Sequence, residues 1–542
     1  MNSPDRDPSS PLSTGPLSSD AAVAVSPHHL ASQAALDIMK RGGSAVDGAI
    51  AADAVLAVVA PDTCGPGGDL FTIVHRPGDS RPSVLNASGR AGTGASASRL
   101  RDEGFASIPI RSHWSITIPG CVDGWEELIG RFGSRPLSDL LTPAIEHAIE
   151  GFPVSRELAG SLDHLHEMIY EQGSANELYP NVMPPREGNA LSRPALAETL
   201  RLVANGGRDA FYTGPVGAGI IEATHGVITT EDLERRQVEW VEPASTDLFG
   251  LTAWTVPPNS QGWLTLATLR IFEMLSPPRD PEDPAFHHAL IEAYRSVAWE
   301  RADTTADPDT APFAPSQLLD VDRLAERAAA IDPENAQRWP VGASAPGGTA
   351  YLTTRDRSGM VVSFIQSNYW GIGSGISAGA TGVWLHNRGA GFDLRPGHPN
   401  ELTPGRRPLH TLAPTLWTDG DRARLVLGTR GGDQQPQFLA QVAANQLWAH
   451  VDPADAQRLP RWSIDAFAAD DLPTVRYESR SSISTIAGLA DRGHDLEPAG
   501  GWEAGWGPVS TITIDGGSTR GDADPRVSTA AAMSSESEWA MR

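Results

Sequence analysis

The change of texture at Gly348-Thr349 limits most what this chain can fold into. The stretch SAPGGTAYLTTRDRSGMVVSFIQSN runs from Ser344 to Asn368. A loose Ala-Pro-Gly-Gly segment stops at Thr349, and the strands TAYLTTR and GMVVSFIQS follow around the turn DRSG. That is a hairpin signal. Before the junction the chain reads mostly helical; after it, strand-rich. An α+β protein with a seam at Gly348-Thr349 is expected.

The helical part opens with SPHHLASQAALDIMKRGGSAVDGAIAADAVLAVVAP, read as two helices. The first ends at Lys40-Arg41, basic residues followed by glycines. The second starts at Ser44 as N-cap, with Asp47 three residues on in an acidic capping box. CGPGGDLFTIVH is a glycine turn feeding a strand, and PSVLNAS offers its partner. PLSDLLTPAIEHAIEGF, RPALAETLRLVANGG, FHHALIEAYRSVAWERADTT and LLDVDRLAERAAAIDPENAQRW read as helices. VEWVEPASTDLFGLTAWTVPPNSQG reads as extended, and PVGASAPGG as flexible. Beyond the hairpin, GVWLHN, APTLWTD and ARLVLGT are strand-like, and PQFLAQVAANQLWAH is helical. Residues 1–20, rich in Ser, Pro and Asp, read as a disordered tail, and 516–542 as a flexible one.

Composition removes several function classes. The 542 residues carry a net charge of -25, which opposes a nucleic-acid footprint and docking on anionic membranes. Lys40 is the only lysine; no Gly-rich loop surrounds it, so no Walker P-loop is present. Its helical neighbourhood gives no support for a pyridoxal Schiff base. Cys64 and Cys121 form no CxxC, and both read as small buried residues. The N-terminus shows no basic n-region followed by an apolar h-region, and no apolar run is long enough to span a bilayer. A cytoplasmic protein is the expectation.

Thr349 becomes chemically interesting only if the Gly348-Thr349 bond is cut. A free α-amine titrates near pH ~8 and could take the hydroxyl proton. Attack on an amide carbonyl would then give an acyl-enzyme. Gly431 and Gly432, in GTRGGDQQPQ, could present backbone N–H groups to an oxyanion; a plain strand-to-helix turn would look the same. Ser367, at the end of the second hairpin strand, could lie beside Thr349 or be an ordinary polar strand residue. GISAG, Gly375 to Gly379, matches a GxSxG elbow but lacks the strand and helix that motif requires. His28-His29, His287-His288 and DHLHE have no metal-ligand spacing, so no metal is expected.

Several ordered blocks resemble the gamma-glutamyltransferase family of N-terminal nucleophile hydrolases. They are HHLASQAALDIMKRGGSAVDGAIAADAVLAVVAPDTCGPGGDLF, IPGCVDGWEELIGRFGSRPLSDLLTPAIEHAIEGFPV, DAFYTG, GVITTEDLE, VPPNSQGWLTLATLRIFE, HHALIEAYRSVAWERAD, GGTAYLTTRDRSGMVVSFIQSNYWGIGSGI, RRPLHTLAPTL and GTRGGDQQPQ. The likeness covers roughly residues 22 to 515. It implies a four-layer αββα sandwich and self-cleavage at Gly348-Thr349 into a large subunit, 21–348, and a small one, 349–515. Thr349 would be the nucleophile, Gly431 and Gly432 the oxyanion pair, and Ser367 a neighbouring hydroxyl. The subunits of one precursor would form a heterodimer able to pair again. The resemblance implies a small-molecule substrate and no cofactor.

The departures from the family pattern bear on the substrate. Ala350 replaces a second threonine after the nucleophile. Ser88, in LNASGRAG, replaces the arginine that holds a glutamyl carboxylate, with Arg90 nearby. Gly391, in LHNRGAGFD, replaces an acidic residue that holds the substrate amine. His410 and Thr411 replace a paired serine. An unpaired amino-acid headgroup loses affinity, so glutathione is not the expected substrate. QSNYWGIGSG, which contains Tyr369, together with NRGAGF, resembles the acylase-like branch. Arg90, Tyr369, His410 and Thr411 are therefore the candidate substrate-binding residues. Amide hydrolysis or acyl transfer is the leading expectation. Hydrolytic C–C cleavage, as in bacterial antibiotic pathways that make alkylated prolines, and a non-catalytic relative are the alternatives.

Overall fold

The two long helices near the N-terminus follow their sequence signals. His29–Lys40 ends on its basic residue. Ala45–Val59 starts from the Ser44/Asp47 capping box and is buried along its whole length. Its small side chains let it lie flat on a sheet. The computed structural model describes residues 11–339, 348–464 and 473–536. Most of PVGASAPGG lies outside those residues.

Among the described residues, thirteen strands form two antiparallel sheets. The first has the order Ala531–Ser534, Val23–Ser26, Gly348–Arg355, Val361–Tyr369, Asp69–His75, Ser83–Ala87, Glu239–Val241. The second has the order Ser518–Ala523, Val509–Asp515, Arg422–Thr429, Thr415–Asp419, Leu251–Thr255, Ala244–Leu248. The two-residue periodicity of a strand gives each sheet two apolar faces. Val25, Phe71, Tyr351 and Ile365 of the first sheet meet Trp254, Leu416, Val426 and Ile512 of the second. On its outer face, Leu70, Val74, Leu352 and Phe364 pack under the helical layer that includes Ile50, Val55 and Trp125. Trp417, Leu425 and Leu427 pack under the helices Trp263–Leu275 and Pro284–Ala298 on the far side. The layers are αββα, the sandwich of N-terminal nucleophile hydrolases, and the hairpin at Thr349 lies in the middle of the first sheet.

Three expectations need correction. The segment 516–542 is not a flexible tail over its described part: Ser518–Ala523 edges the second sheet and Ala531–Ser534 edges the first. Residues 11–20 are not free either, because Thr14 and Leu17 hydrogen-bond to Gly521 and Thr519. Polar, small composition hid both, since edge strands need few large side chains. GVWLHN is not a strand. Its backbone bonds go to its own preceding loop, to Gly67 and to Asn368, through Leu385 to Ile376 O, His386 to Gly67 O and Asn387 to Asn368 O.

Candidate active site

Strand alternation decides where Thr349 points. Ala350 and Leu352 pack into the helix-side core, whereas Tyr351 packs between the sheets. Thr349 therefore shares the inter-sheet side. On the neighbouring strand, Val361 and Ile365 face between the sheets, which puts Ser367 on that side too. Gln366 lies opposite Ala350, and then the register slips so that Tyr369 lies opposite Gly348. At that bulge Tyr369 takes a positive φ of 75°.

The hydroxyls converge on one carbonyl. Thr349 Oγ1 donates to Gly348 O at 2.7 Å and lies 3.2 Å from Ser367 Oγ. Ser367 Oγ also lies 2.7 Å from Gly348 O and accepts the Tyr369 N–H at 2.7 Å. Thr349 is 2% exposed and Ser367 1%. Ala350 points the other way, into the helical layer, so its lack of a hydroxyl leaves this cluster intact.

Gly431 and Gly432 come from the second sheet. They follow the strand Arg422–Thr429 and open the 3-10 turn Gly432–Gln434, which runs into the helix Gln435–Ala443. Their φ angles of 131° and 56° explain why both are glycine. The first N–H groups of such a helical entry have no intrahelical acceptor and suit an anion. Arg430, one residue earlier, lines the same two small cavities as Thr349.

A polar network fixes this turn. Gln261 Nε2 donates to Thr411 O at 2.9 Å and to Gly432 O at 3.0 Å, while its Oε1 accepts from Arg301 Nη1 at 2.8 Å. Arg301 in turn binds both Asp433 oxygens, at 2.7 and 2.8 Å.

The remaining candidates divide. Thr411 Oγ1 accepts from Arg388 Nη1 at 3.2 Å, and the Arg388 guanidinium lies 3.8 Å from the Tyr369 ring centre. Burial, with Asp433 adding, pushes the Tyr369 phenol up to about 12, so it stays protonated. His410 is engaged within the protein at both ring nitrogens. Nε2 donates to Asp69 Oδ2 at 3.1 Å and Nδ1 accepts the Leu412 N–H at 3.3 Å. Burial, helped by Arg388, pushes His410 down to about 3. Asp69 lies opposite Ser367 and accepts the Gly89 N–H at 2.9 Å. Burial alone would raise its pKa, but His386 and His410 hold it well below the carboxylate range. His410 thus braces the strand beneath Ser367.

Arg90 is engaged elsewhere, paired with Glu239 on the edge strand and donating to Gln237 O at 3.4 Å. Ser88 Oγ is bound to Asn86 Oδ1 at 2.7 Å. A side chain at position 391 would run into Leu409 O, 2.6 Å from where its Cβ would stand. Cys64 and Cys121 are buried free thiols. Gly375 to Gly379 is loop, without the elbow's strand and helix. Among the described residues no group of three or more His, Cys, Asp or Glu is placed to hold a metal ion, and no helix is long and apolar enough to cross a membrane. Sequence reasoning missed Asp69, Gln261, Arg301 and Arg388. Their partners are distant in the chain, so no spacing marks them; each lies inside a quoted block, Arg388 in NRGAGF, but nothing within the block singles it out.

Comparison with known proteins agrees with this geometry. The gamma-glutamyltranspeptidase family profile matches residues 31–534. The glutathione hydrolase-like YwrD proenzyme of Bacillus subtilis is 35% identical, over 93% of this chain and 97% of that protein. The oxamate amidohydrolase proenzyme of Klebsiella pneumoniae is 34% identical, over 94% and 98%. The crystal structure of a cephalosporin acylase from Bacillus halodurans superposes with a TM-score of 0.89 at 31% identity, covering 98% of this chain and 99% of that one.

Proposed function

The chain belongs to the gamma-glutamyltranspeptidase family and is an enzyme of the N-terminal nucleophile type, and from that premise we propose that it matures by cutting its own Gly348-Thr349 bond and then hydrolyses acyl amides through Thr349. The observation that carries the reading is the placement of Thr349 Oγ1 and Ser367 Oγ on Gly348 O, at 2.7 Å each. In maturation, Thr349 Oγ1 bonds to the Gly348 carbonyl carbon. The C–N bond breaks, the nitrogen takes up the proton that Oγ1 gives up and becomes an amine, and an ester joins the two residues. Water hydrolyses that ester, giving a Gly348 carboxylate and a free Thr349 amine. Relatives with proenzyme names support such a step.

In turnover the Thr349 amine, with a pKa near ~8, takes the hydroxyl proton as Oγ1 attacks the substrate carbonyl. The Gly431 and Gly432 N–H groups stabilise the oxyanion. The amine returns the proton to the leaving nitrogen, and water or an acceptor amine releases the acyl group. The names of an oxamate amidohydrolase and a cephalosporin acylase among the relatives support an amide substrate. Ser88 and Gly391 give no charged grip on a glutamyl headgroup, so glutathione is a poor substrate on this reading.

The test is a denaturing gel of purified protein with N-terminal sequencing of the smaller band. A band starting Thr-Ala-Tyr-Leu, absent in Thr349→Ala, is expected, followed by amide hydrolysis. A folded chain that stays whole and inert overturns the reading. Processed protein that cleaves oxo-acids at C–C bonds but no amide would move the assignment to that alternative chemistry.

A further inference from the structure

Arg388 is a buried cation without an acidic partner among the described residues. It is 1% exposed. Nη1 donates to Thr411 Oγ1 at 3.2 Å, while Nε and Nη2 are buried and reach no hydrogen-bond partner there. The nearby carboxylates are committed. Asp69 serves Gly89 and His410, and Asp433 is held by Arg301. An uncompensated buried charge is strongly disfavoured, so this arrangement calls for an anion.

Its position ties that anion to the reacting centre. The Tyr369 ring carries the guanidinium, and Tyr369 lies opposite Gly348, next to Thr349. On the other side, Thr411 shares Gln261 with Gly432 of the oxyanion turn. Arg388 therefore stands between the nucleophile hairpin and the glycine pair. Nε–H and Nη2–H form one edge of the planar fork, the edge that grips a carboxylate through two parallel bonds. The ring beneath fixes its plane.

We propose that Arg388 anchors a carboxylate on the acyl part of the substrate, so that the enzyme takes carboxyacyl amides rather than neutral acyl or amino-acid ones. The proposal rests on the reading that Thr349 attacks an acyl amide. The absence of a grip on a substrate ammonium follows from Gly391, which has no side chain, while Ser88, bound to Asn86, leaves the carboxylate to Arg388.

The experiment compares mature wild type, Arg388→Gln and Arg388→Lys on glutaryl and oxalyl p-nitroanilides, each against its neutral carbamoyl counterpart, with γ-glutamyl-p-nitroanilide alongside. For at least one acyl length the wild type is expected to prefer the carboxylate by about 100-fold in kcat/KM. The ratio is expected to fall to within about threefold in Arg388→Gln and to an intermediate value in Arg388→Lys, which keeps the charge without the fork. A wild-type ratio near one, or a ratio that survives both substitutions, overturns the proposal. If Arg388→Gln does not fold, the Arg388→Lys ratio decides alone. If processed protein cleaves no anilide, the amide-hydrolase reading fails separately, and calorimetric titration with glutarate and oxamate judges the anchor. Binding weakened at least about tenfold in the variants supports it. Equal binding, or none to the wild type, overturns it.

Discussion

Thr349 Oγ1 and Ser367 Oγ stand 3.2 Å apart, on adjacent strands, and both reach the carbonyl oxygen of Gly348. A hydroxyl attacks best when the neighbouring group holds the carbonyl and the proton has somewhere to go. Thr349→Ala is expected to remain full length on a denaturing gel. Ser367→Ala is expected to process about 10- to 100-fold more slowly, read as band intensity against time. Equal processing rates would remove Ser367 from the step.

The glycine turn proposed as the oxyanion hole gives a kinetic prediction. Gly431 has a φ of 131°, and a Cβ there would stand 3.0 Å from the Phe438 ring. Gly431→Ala displaces the N–H donors while leaving substrate access open. On processed enzyme kcat is expected to fall about 100- to 1000-fold, with a smaller change in KM. A change confined to KM would place the glycines in binding instead.

The Arg301-Asp433 pair, at 2.7 Å, is nearly buried and braces the same turn. Arg301→Met leaves the Asp433 carboxylate without this partner. A loss of about 3 kcal/mol in urea unfolding is expected, along with reduced kcat. A variant as stable as wild type would mean that the pair contributes little.

Stability should fall in mild acid. Burial pushes His410 and His494 each down to about 3. Below an unfolded pKa of roughly 6.5 the unfolded chain binds protons that the folded chain refuses. Stability is therefore lost as pH falls from about 6.5 towards the folded value, by up to about 1.4 kcal/mol per pH unit for each histidine. Asp69 adds to the loss only below about pH 4, because its folded pKa is depressed. Urea melts between pH 7 and 5 measure the slope, and His494→Gln should lower it. An unchanged slope would show that His494 titrates normally in the folded protein.

Truncation before Gly516 removes the strands Ser518–Ala523 and Ala531–Ser534, whose partners are Val509–Asp515 and Val23–Ser26. The shortened chain is expected to be insoluble and unprocessed, because both sheets gain open edges. A soluble, processed product would restore the view of this region as a dispensable tail.

Local signals in the sequence determined a good part of this protein. The Ser44/Asp47 capping box, the DRSG hairpin and the alternation around Thr349 each depend on a few neighbouring residues. They set the helix start, the strand pairing and the face on which Thr349 and Ser367 emerge. Glycines 431 and 432 were legible as a strand-to-helix turn, because adjacent glycines permit the positive φ such a turn takes. The tertiary structure alone decided the rest. His410 met Asp69 from 341 positions away in the chain, so its ring is held within the protein. Arg90 was drawn to Glu239, and Arg388 was left on Tyr369 without an acid among the described residues. The C-terminal segment became strand because two sheet edges were open to receive it, not because its residues demand it. Long-range pairing of buried polar groups follows from which surfaces the sheets bring together, and no local pattern records that.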